Sequence, residues 1–118
     1  MIACPFCEIV AGRAAAAMVR EWPDAVAFVP LNPVVDGHTL VVPRRHVANA
    51  VEAPAATGAT MARAAEFAAE VGGDLNLIAS VGATATQTVY HLHIHIVPRE
   101  AGDGLPLPWT PQQAGMSA

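Results

Sequence analysis

The sequence has no lysine, few aromatic residues and little charge of either sign. Charged residues make up 14% of the 118 residues, aromatic residues make up 5%, and the formal net charge is −4. An acidic balance without a basic stripe argues against broad nucleic-acid binding, which depends on neutralising many phosphates. A small phosphorylated substrate remains compatible with this composition, because one local group of hydrogen-bond donors is enough to bind it.

Long apolar runs are also missing. No uninterrupted run reaches the roughly 18 residues that a membrane helix needs, so we expect no membrane partner. The start, "MIACPFCEIVAGR", has no basic leader and Glu8 interrupts it, so we predict no signal peptide and a cytoplasmic location. Hydrophobic residues make up 53%, which argues against disorder. The length fits one domain over 1–118, with a core over about 4–100 and an extended tail over 101–118.

Periodicity and turn residues predict an α+β fold, a mostly antiparallel sheet with its helices on one side. A short helix is predicted over 5–13 and a long helix over 54–72, ended by Gly72 and Gly73. Apolar runs bounded by turn residues predict strands at 18–22, 25–29, 39–43, 75–79 and 88–98. On the long helix, apolar residues at helical spacing form the expected buried side: Met61, Ala64, Ala65, Ala68 and Val71.

The stretch "YHLHIHIVPR" carries three histidines at every second position, His91, His93 and His95. In a strand these three side chains share one face, and the apolar residues between them point into the core. Three readings are open at this point. The rings are satisfied core histidines, or ligands of a metal such as zinc, or catalytic groups that attack and hold a phosphate.

The two cysteines, Cys4 and Cys7, form a C-x2-C pair at the start of the chain. In a short chain without a secretory signal, this spacing favours metal or redox chemistry over a structural disulfide. A thioredoxin-like motif is disfavoured by the position at the N-terminus. The pair is therefore either half of a zinc site that needs two further ligands, or two buried free thiols.

Three segments together resemble the histidine triad (HIT) family: "CPFCEIVAG", "NPVVDGHTLVVPRRHV" and "TQTVYHLHIHIVPR". They occur in the family's order and at its spacing, and they span roughly residues 4–100. The resemblance implies an antiparallel sheet of about five strands with one long and one short helix. It also implies a homodimer in which two sheets join into ten strands.

The resemblance implies a nucleotide hydrolase or nucleotidyl transferase that acts at the α-phosphate of a nucleoside phosphoramidate or a dinucleoside polyphosphate. In this reading His93 is the nucleophile and forms a nucleotidyl-histidine intermediate, which water then hydrolyses. His95 holds the phosphate, and His38 supports the triad from a neighbouring strand. Two other classes stay open, a nucleotide-binding module without turnover and a metallohydrolase with the triad as its catalytic zinc ligands.

The resemblance also assigns binding residues by position. A structural zinc site, as in some bacterial members of the family, would be formed by Cys4, Cys7, His46 and His91. Phosphate and leaving-group contacts fall on Gln87, Thr88 and Ser80, and apolar nucleobase contacts fall on Phe6, Ile9, Phe28 and Leu31. The sequence departs from the family at Pro30, where a polar residue usually binds the ribose, and at Ser80, where an amide is more usual.

Overall fold

One antiparallel sheet of five strands forms the centre of the molecule, in a computed structural model that describes residues 4–110. The strands lie in the order β1-β2-β3-β5-β4, and every neighbouring pair is antiparallel. This confirms the predicted α+β fold. The elements in chain order are α1 (Pro5–Val10), β1 (Ala17–Glu21), β2 (Ala25–Val29), β3 (Thr39–Pro43), α2 (Pro54–Val71), β4 (Leu75–Ile78), a 3-10 turn (Ala83–Ala85) and β5 (Ile94–Pro98).

Alternation along the strands divides the core between the two faces of the sheet. The first core cluster lies under α2 and includes Val41, Ile94 and Ile96, together with Ala64 of the helix. The second core cluster lies on the opposite face and consists of Phe6, Val26, Phe28, Leu40 and Val42. Because Ile94 and Ile96 face the first cluster, His95 of β5 faces the second, and we call this side of the sheet the histidine face.

The two helices lie on opposite faces, so the prediction that both cover one side is wrong. Phe6 of α1 packs in the second core cluster, whereas Ala64 of α2 packs in the first. Sequence periodicity did not reveal this, because a helix of six residues is too short to show which face of a sheet it covers. The consequence is that α1 lies on the histidine face, beside the triad.

The buried side of α2 also differs from the prediction. Ala64 and Ala68 are buried as expected, but Ala65 and Val71 are exposed, since Ala65 is turned about 100° around the axis from Ala64. Thr60 is buried instead, with its hydroxyl donating to the Ala56 carbonyl at 2.8 Å. Neither helix within residues 4–110 combines the length and apolar character that crossing a membrane requires.

Strand β5 begins at Ile94, later than the predicted 88–98, and Pro43 explains the difference. The register pairs Val41 with Ile94, so Pro43 would stand opposite Leu92. Proline has no N–H to donate, and the ladder ends there. The Leu92 N–H donates instead to the Val47 carbonyl at 2.8 Å. The first two triad histidines therefore precede the regular strand.

The turn into β3 depends on Gly37. Its φ is +89°, and a Cβ built there would lie 3.0 Å from Cγ of Pro98. Replacing Gly37 with alanine is expected to lower the free energy of unfolding by about 1–3 kcal/mol, since both the backbone conformation and the close contact become unfavourable. Urea unfolding measures the change.

Gly58→Ala is the matched control for this substitution. Gly58 lies in α2, and nothing lies within 4 Å of a Cβ built there. Alanine at that position is expected to raise the free energy of unfolding by about 0.5–1 kcal/mol. Equal effects of the two substitutions would contradict the role of Gly37.

The last described segment is tied to the end of β5. The guanidinium of Arg99 donates to both carboxylate oxygens of Asp103, at 2.8 and 3.0 Å, and to the Leu105 carbonyl at 2.7 Å. The Asn76 side chain accepts a further hydrogen bond from Arg99 at 2.8 Å. We call these contacts the tail clamp. The division into a core over 4–100 and a tail over 101–118 stays a prediction, and residues 111–118 lie outside the described part.

Candidate functional site

Four residues from three parts of the chain converge as a candidate metal centre, which we call the metal cluster: Cys4, Cys7, His46 and His91. Their ligand atoms all lie within 4.8 Å of one another. Three of the separations are 3.4 Å from Cys4 Sγ to His91 Nδ1, 3.3 Å from Cys7 Sγ to His46 Nδ1, and 3.2 Å between the two Nδ1 atoms. In a tetrahedral zinc site with these ligands, neighbouring ligand atoms lie about 3.3–3.8 Å apart. The donor set and its spacing therefore fit Zn²⁺.

The ring of His91 is prepared to bind a metal through Nδ1. Its Nε2–H donates to the Pro43 carbonyl at 2.8 Å, which leaves the lone pair on Nδ1, inside the cluster. Burial lowers the pKa of His91, which favours the neutral ring that a metal requires. Burial and the neighbouring Cys4 thiol raise the pKa of Cys7, and a divalent cation between the two sulfurs would favour the thiolates.

His93 is held by its own backbone neighbour. Nδ1 of His93 lies 2.8 Å from the carbonyl oxygen of His91, and it can only donate to that oxygen. In the neutral ring, the lone pair is therefore on Nε2. The side chain is 9% exposed, and the ring of Phe6 meets it edge-on, with centroids 5.2 Å apart. The ring is thus fixed in tautomer and orientation with one basic nitrogen available.

A relay of hydrogen bonds fixes the tautomers of His38 and His95. The Val34 N–H donates to Nδ1 of His38 at 3.1 Å, so the proton of the neutral His38 ring is on Nε2. Nε2 of His38 then donates to Nδ1 of His95 at 3.0 Å. The proton of the neutral His95 ring is consequently on Nε2. His95 can act as a hydrogen-bond donor toward an anion, while His93 offers a lone pair.

Both rings of this relay are neutral near pH 7. Burial, followed by the nearby His93 and His38 rings, lowers the pKa of His95 to about 4. Burial also lowers the pKa of His38. A charged ring in either position would break the relay, because His95 could no longer accept a hydrogen bond or His38 could no longer accept one from Val34.

Lowering the pH from 7 toward 4 is expected to destabilise the fold through His95. The ordinary pKa of 6.5 falls to about 4 in the folded chain. Between these values the unfolded chain binds a proton that the folded chain does not, so this stabilisation is present above about pH 6.5 and is lost as the pH falls. We expect about 1–2 kcal/mol, because the ring is partly exposed. Urea unfolding at pH 7 and pH 4.5 measures the loss.

His95→Asn is the control for this pH dependence. The asparagine side-chain oxygen can accept the hydrogen bond from Nε2 of His38, but it does not titrate. His38 and His91, whose pKa values burial also lowers, are present in both proteins, so the difference between them isolates His95. An equal loss of stability in the two proteins would contradict the assignment.

A cleft of about 300 Å³ opens on the histidine face between β4, β5 and residues 105–107. Three of the predicted site residues line it, His38, Ser80 and His95. The register explains this, since Ile78 pairs with His95 across the two strands and residues two apart share a face. Sequence reasoning missed the other lining residues, which are Val34, Asn76, Ile78, Thr86, Val97, Arg99, Leu105, Pro106 and Leu107.

Gln87 and Thr88 have different environments. Gln87 is 3% exposed, and its amide N–H groups donate to the carbonyls of Ala48 and Val89 at 2.7 and 3.1 Å. Its side-chain oxygen accepts from the Gly82 N–H at 2.9 Å. Gln87 therefore braces the loop before the triad. Its contact with substrate stays a prediction, and it would require a donor that is now bound to Ala48 or Val89 to change partner. Thr88 is exposed at the end of the same loop.

The four predicted nucleobase contacts differ in their exposure. Phe6 and Phe28 are buried against each other, with ring centroids 5.4 Å apart, and Ile9 packs on the same cluster. Leu31 is 97% exposed. Leu31 is thus an open apolar side chain at the end of β2, next to Pro30, and the other three residues are largely core.

One feature of the sequence indicates that the tail residues in the cleft are held in place. Arg99 and Asp103 stand four residues apart in "PREAGDG" and form the tail clamp, an ion pair with little exposed side-chain surface. The carboxylate also accepts from the backbone N–H groups of Glu100 and Leu105. Opposite charges on either side of a glycine turn indicate such an ion pair. Which tail residues then line the cleft depends on tertiary contacts, which the sequence does not display.

Comparison with known proteins agrees with the fold and the metal cluster. A family model described as the HIT domain matches residues 11–102. The chain is similar to SMU.412c from Streptococcus mutans UA159, with 40% identity, a TM-score of 0.82, and coverage of 91% of this chain and 72% of that one. It is also similar to a Zn-bound histidine triad family protein from Mycobacterium smegmatis, with 36% identity, a TM-score of 0.74, and coverage of 88% and 80%.

A curated relative carries a more specific name. The chain is 32% identical over 108 residues to the adenylylsulfatase HINT3 of Arabidopsis thaliana, and the match covers 86% of this chain and 55% of that protein.

Proposed function

The chain belongs to the HIT domain family, and on that premise we propose that it hydrolyses a nucleotide at its α-phosphate through a nucleotidyl-histidine intermediate. The substrate is a nucleoside phosphoramidate or a dinucleoside polyphosphate. The observation that carries the proposal is the hydrogen bond from Nδ1 of His93 to the His91 carbonyl. It leaves a basic nitrogen on a ring that cannot turn freely, beside a histidine that offers a proton.

Two displacements at phosphorus account for the reaction. Nε2 of His93 forms a bond to the α-phosphorus, and the bond to the leaving group breaks with its electron pair on the leaving atom. Nε2–H of His95 donates to a phosphate oxygen and stabilises the charge that develops there. Water then forms a bond to the same phosphorus, and the bond to His93 breaks with its electron pair returning to Nε2. The proton that the water loses passes to the leaving group or to solvent, and a nucleoside monophosphate is released.

The remaining roles follow from the positions of the side chains. His38 keeps His95 in the tautomer that donates to phosphate. Ser80, in the cleft, and Thr88, at the exposed end of the loop, are proposed to contact the phosphate or the leaving group. Leu31 and Ile9 are proposed nucleobase contacts, with Phe28 behind them. The relative named adenylylsulfatase supports an adenylyl group as one nucleotide to test first.

The metal cluster has a structural role in this proposal. Four protein ligands complete a tetrahedral site, which leaves no position for substrate. Among residues 4–110, the group of candidate ligands that converges contains His91 but neither His93 nor His95. This observation disfavours the metallohydrolase in which the triad holds a catalytic zinc ion.

The chain's partners and location remain proposals as well. We propose a homodimer, because β1 and β4 are edge strands whose outer sides could extend the sheet. We also propose a cytoplasmic location. The net charge of −4 supports the absence of nucleic-acid partners.

Trapping the intermediate tests the proposed reaction. The protein is mixed with an adenylate phosphoramidate and quenched in alkali, because a phosphorus–imidazole bond is labile in acid. Mass analysis of the peptide that contains residues 90–99 is expected to find an adenylyl group on His93. Turnover without this adduct would contradict the covalent route. Neither turnover nor adduct, with binding retained, would favour the nucleotide-binding module.

A further inference from the structure

Helix α1 connects the metal cluster to the triad through one side chain. Phe6 lies between Cys4 and Cys7 in the sequence and is 8% exposed. Its ring stands at 87° to the ring of His93, with centroids 5.2 Å apart, and at 71° to the ring of His91, at 5.9 Å. Edge-to-face contacts at these separations are directional and favourable. The same residue thus touches a metal-binding histidine and the proposed nucleophile.

Two restraints fix the ring of His93. The hydrogen bond from Nδ1 to the His91 carbonyl fixes one nitrogen. The perpendicular ring of Phe6 lies against the imidazole and limits its rotation. A hydrogen bond alone lets a ring pivot about its donor atom, whereas packing alone does not select a tautomer. Together they set the direction of Nε2, the atom that must meet phosphorus in line.

Both restraints are anchored in the metal cluster. His91 supplies the carbonyl from its backbone and a ligand atom from its side chain. Phe6 belongs to a helix of six residues, which is too short to be stable by itself. That helix is capped by Cys4, whose Sγ accepts from the Cys7 N–H at 3.4 Å. The position of the Phe6 ring therefore depends on the two cysteines on either side of it.

We propose that Phe6 is a positioning residue for His93, and that the metal cluster affects the reaction through Phe6 and the His91 carbonyl. The inference rests on the proposed function, in which His93 is the nucleophile. It differs from the nucleobase contact that the family resemblance implies for Phe6. A nucleobase contact acts on substrate binding and therefore on KM, whereas a positioning residue acts on kcat.

Phe6→Leu separates the two roles, because leucine keeps an apolar side chain but removes the flat ring. Turnover of the adenylate phosphoramidate is expected to show a kcat lower by about tenfold to a hundredfold, with KM within about twofold of its original value. The NMR spectrum of the His93 ring, measured without substrate, is expected to keep the Nδ1–H tautomer, because the hydrogen bond to His91 remains, but to show the relaxation of a more mobile ring. A raised KM with unchanged kcat overturns the proposal, as does an unchanged His93 spectrum.

Val10→Ala is the control in the same helix. Val10 packs on the second core cluster but makes none of the aromatic contacts of Phe6. The kinetic constants and the His93 spectrum are expected to stay unchanged. A loss of kcat equal to that of Phe6→Leu would mean that any loosening of α1 has the same effect, and it would overturn the specific role of Phe6.

Cys7→Ser tests the link to the metal cluster. In this protein, stripped of metal by chelation and shown to be folded by its backbone amide spectrum, the His93 ring is expected to show the same increase in mobility as in Phe6→Leu. An unchanged His93 spectrum overturns the link. If Cys7→Ser does not fold, the unsubstituted protein stripped of metal by chelation gives the same test of the link, and Phe6→Leu decides the role of Phe6.

The two proposals fail in different ways. If no substrate is turned over and no adduct forms on His93, the proposed function fails, and the ring spectra still decide whether Phe6 positions His93. If the adduct forms on His93 but Phe6→Leu leaves the spectrum and kcat unchanged, the proposed function stands and the role of Phe6 is wrong.

Discussion

Replacing His93 with asparagine is expected to lower kcat by about 10⁴-fold or more and to abolish the nucleotidyl adduct. Losing a nucleophile removes the covalent route entirely, and substitutions of this kind in other hydrolases cost on the order of 10⁴ to 10⁶ in kcat. The fold should survive, because the asparagine amide can donate to the His91 carbonyl that now accepts from Nδ1 of His93. Steady-state turnover and alkaline-quenched mass analysis measure the two effects.

His95→Asn is the matched control for the nucleophile. It removes the donor from Nε2 but keeps the acceptor for His38, and it leaves the hydrogen bond that fixes His93 in place. Loss of one donor to a developing oxyanion costs about 10²–10³-fold in rate. The adduct should therefore form slowly in His95→Asn and not at all in His93→Asn. An adduct in His93→Asn would show that the attacking atom belongs to another residue.

Removing zinc is expected to have the largest effect on stability. Binding to the folded chain alone stabilises it by about 4 kcal/mol when free metal is a thousandfold above Kd. Zinc would join Cys4 and Cys7 at the start of the chain to His46 after β3 and His91 before β5. Chelation should therefore lower the urea midpoint markedly. The comparison is made between protein with excess zinc and protein with chelator.

Cys7→Ser provides the control for chelation. It lacks one of the two sulfur ligands, so its urea midpoint should be low and nearly insensitive to chelator. A wild-type midpoint that chelator does not change would contradict a metal at this site. Complete loss of turnover on chelation, with the chain still folded, would instead indicate a catalytic metal, since the proposed positioning role predicts a partial loss.

The sequence predicted most of the fold because the strands have strong local signals. The runs at 25–29 and 39–43 were predicted to the residue. Alternation in residues 90–99 separated the histidines from Leu92, Ile94 and Ile96, all of which are buried. These features depend on side-chain period alone, which a single sequence displays directly.

The sequence did not predict features that depend on one element meeting another. The start of β5 at Ile94 follows from Pro43, which is distant in sequence and opposite in register. The side-chain amide of Gln87 makes its hydrogen bonds to the carbonyls of Ala48 and Val89 and to the Gly82 N–H, which are groups from other parts of the chain or loop. The cleft wall at 105–107 depends on where the tail clamp holds the chain. Residue types near the triad suggested roles, but only the tertiary contacts show which donors are already used.

In the proposed reaction, the tail clamp separates the histidines that would react from a cleft wall that would contact the substrate. The triad histidines lie on or beside strands whose register fixes their positions, so a change in register would move all of them together. Leu105, Pro106 and Leu107 follow the last strand and are held by Arg99 and Asp103. Related chains can therefore diverge in the length and composition of this segment, and so in the shape of the cleft, while the reacting atoms keep their places.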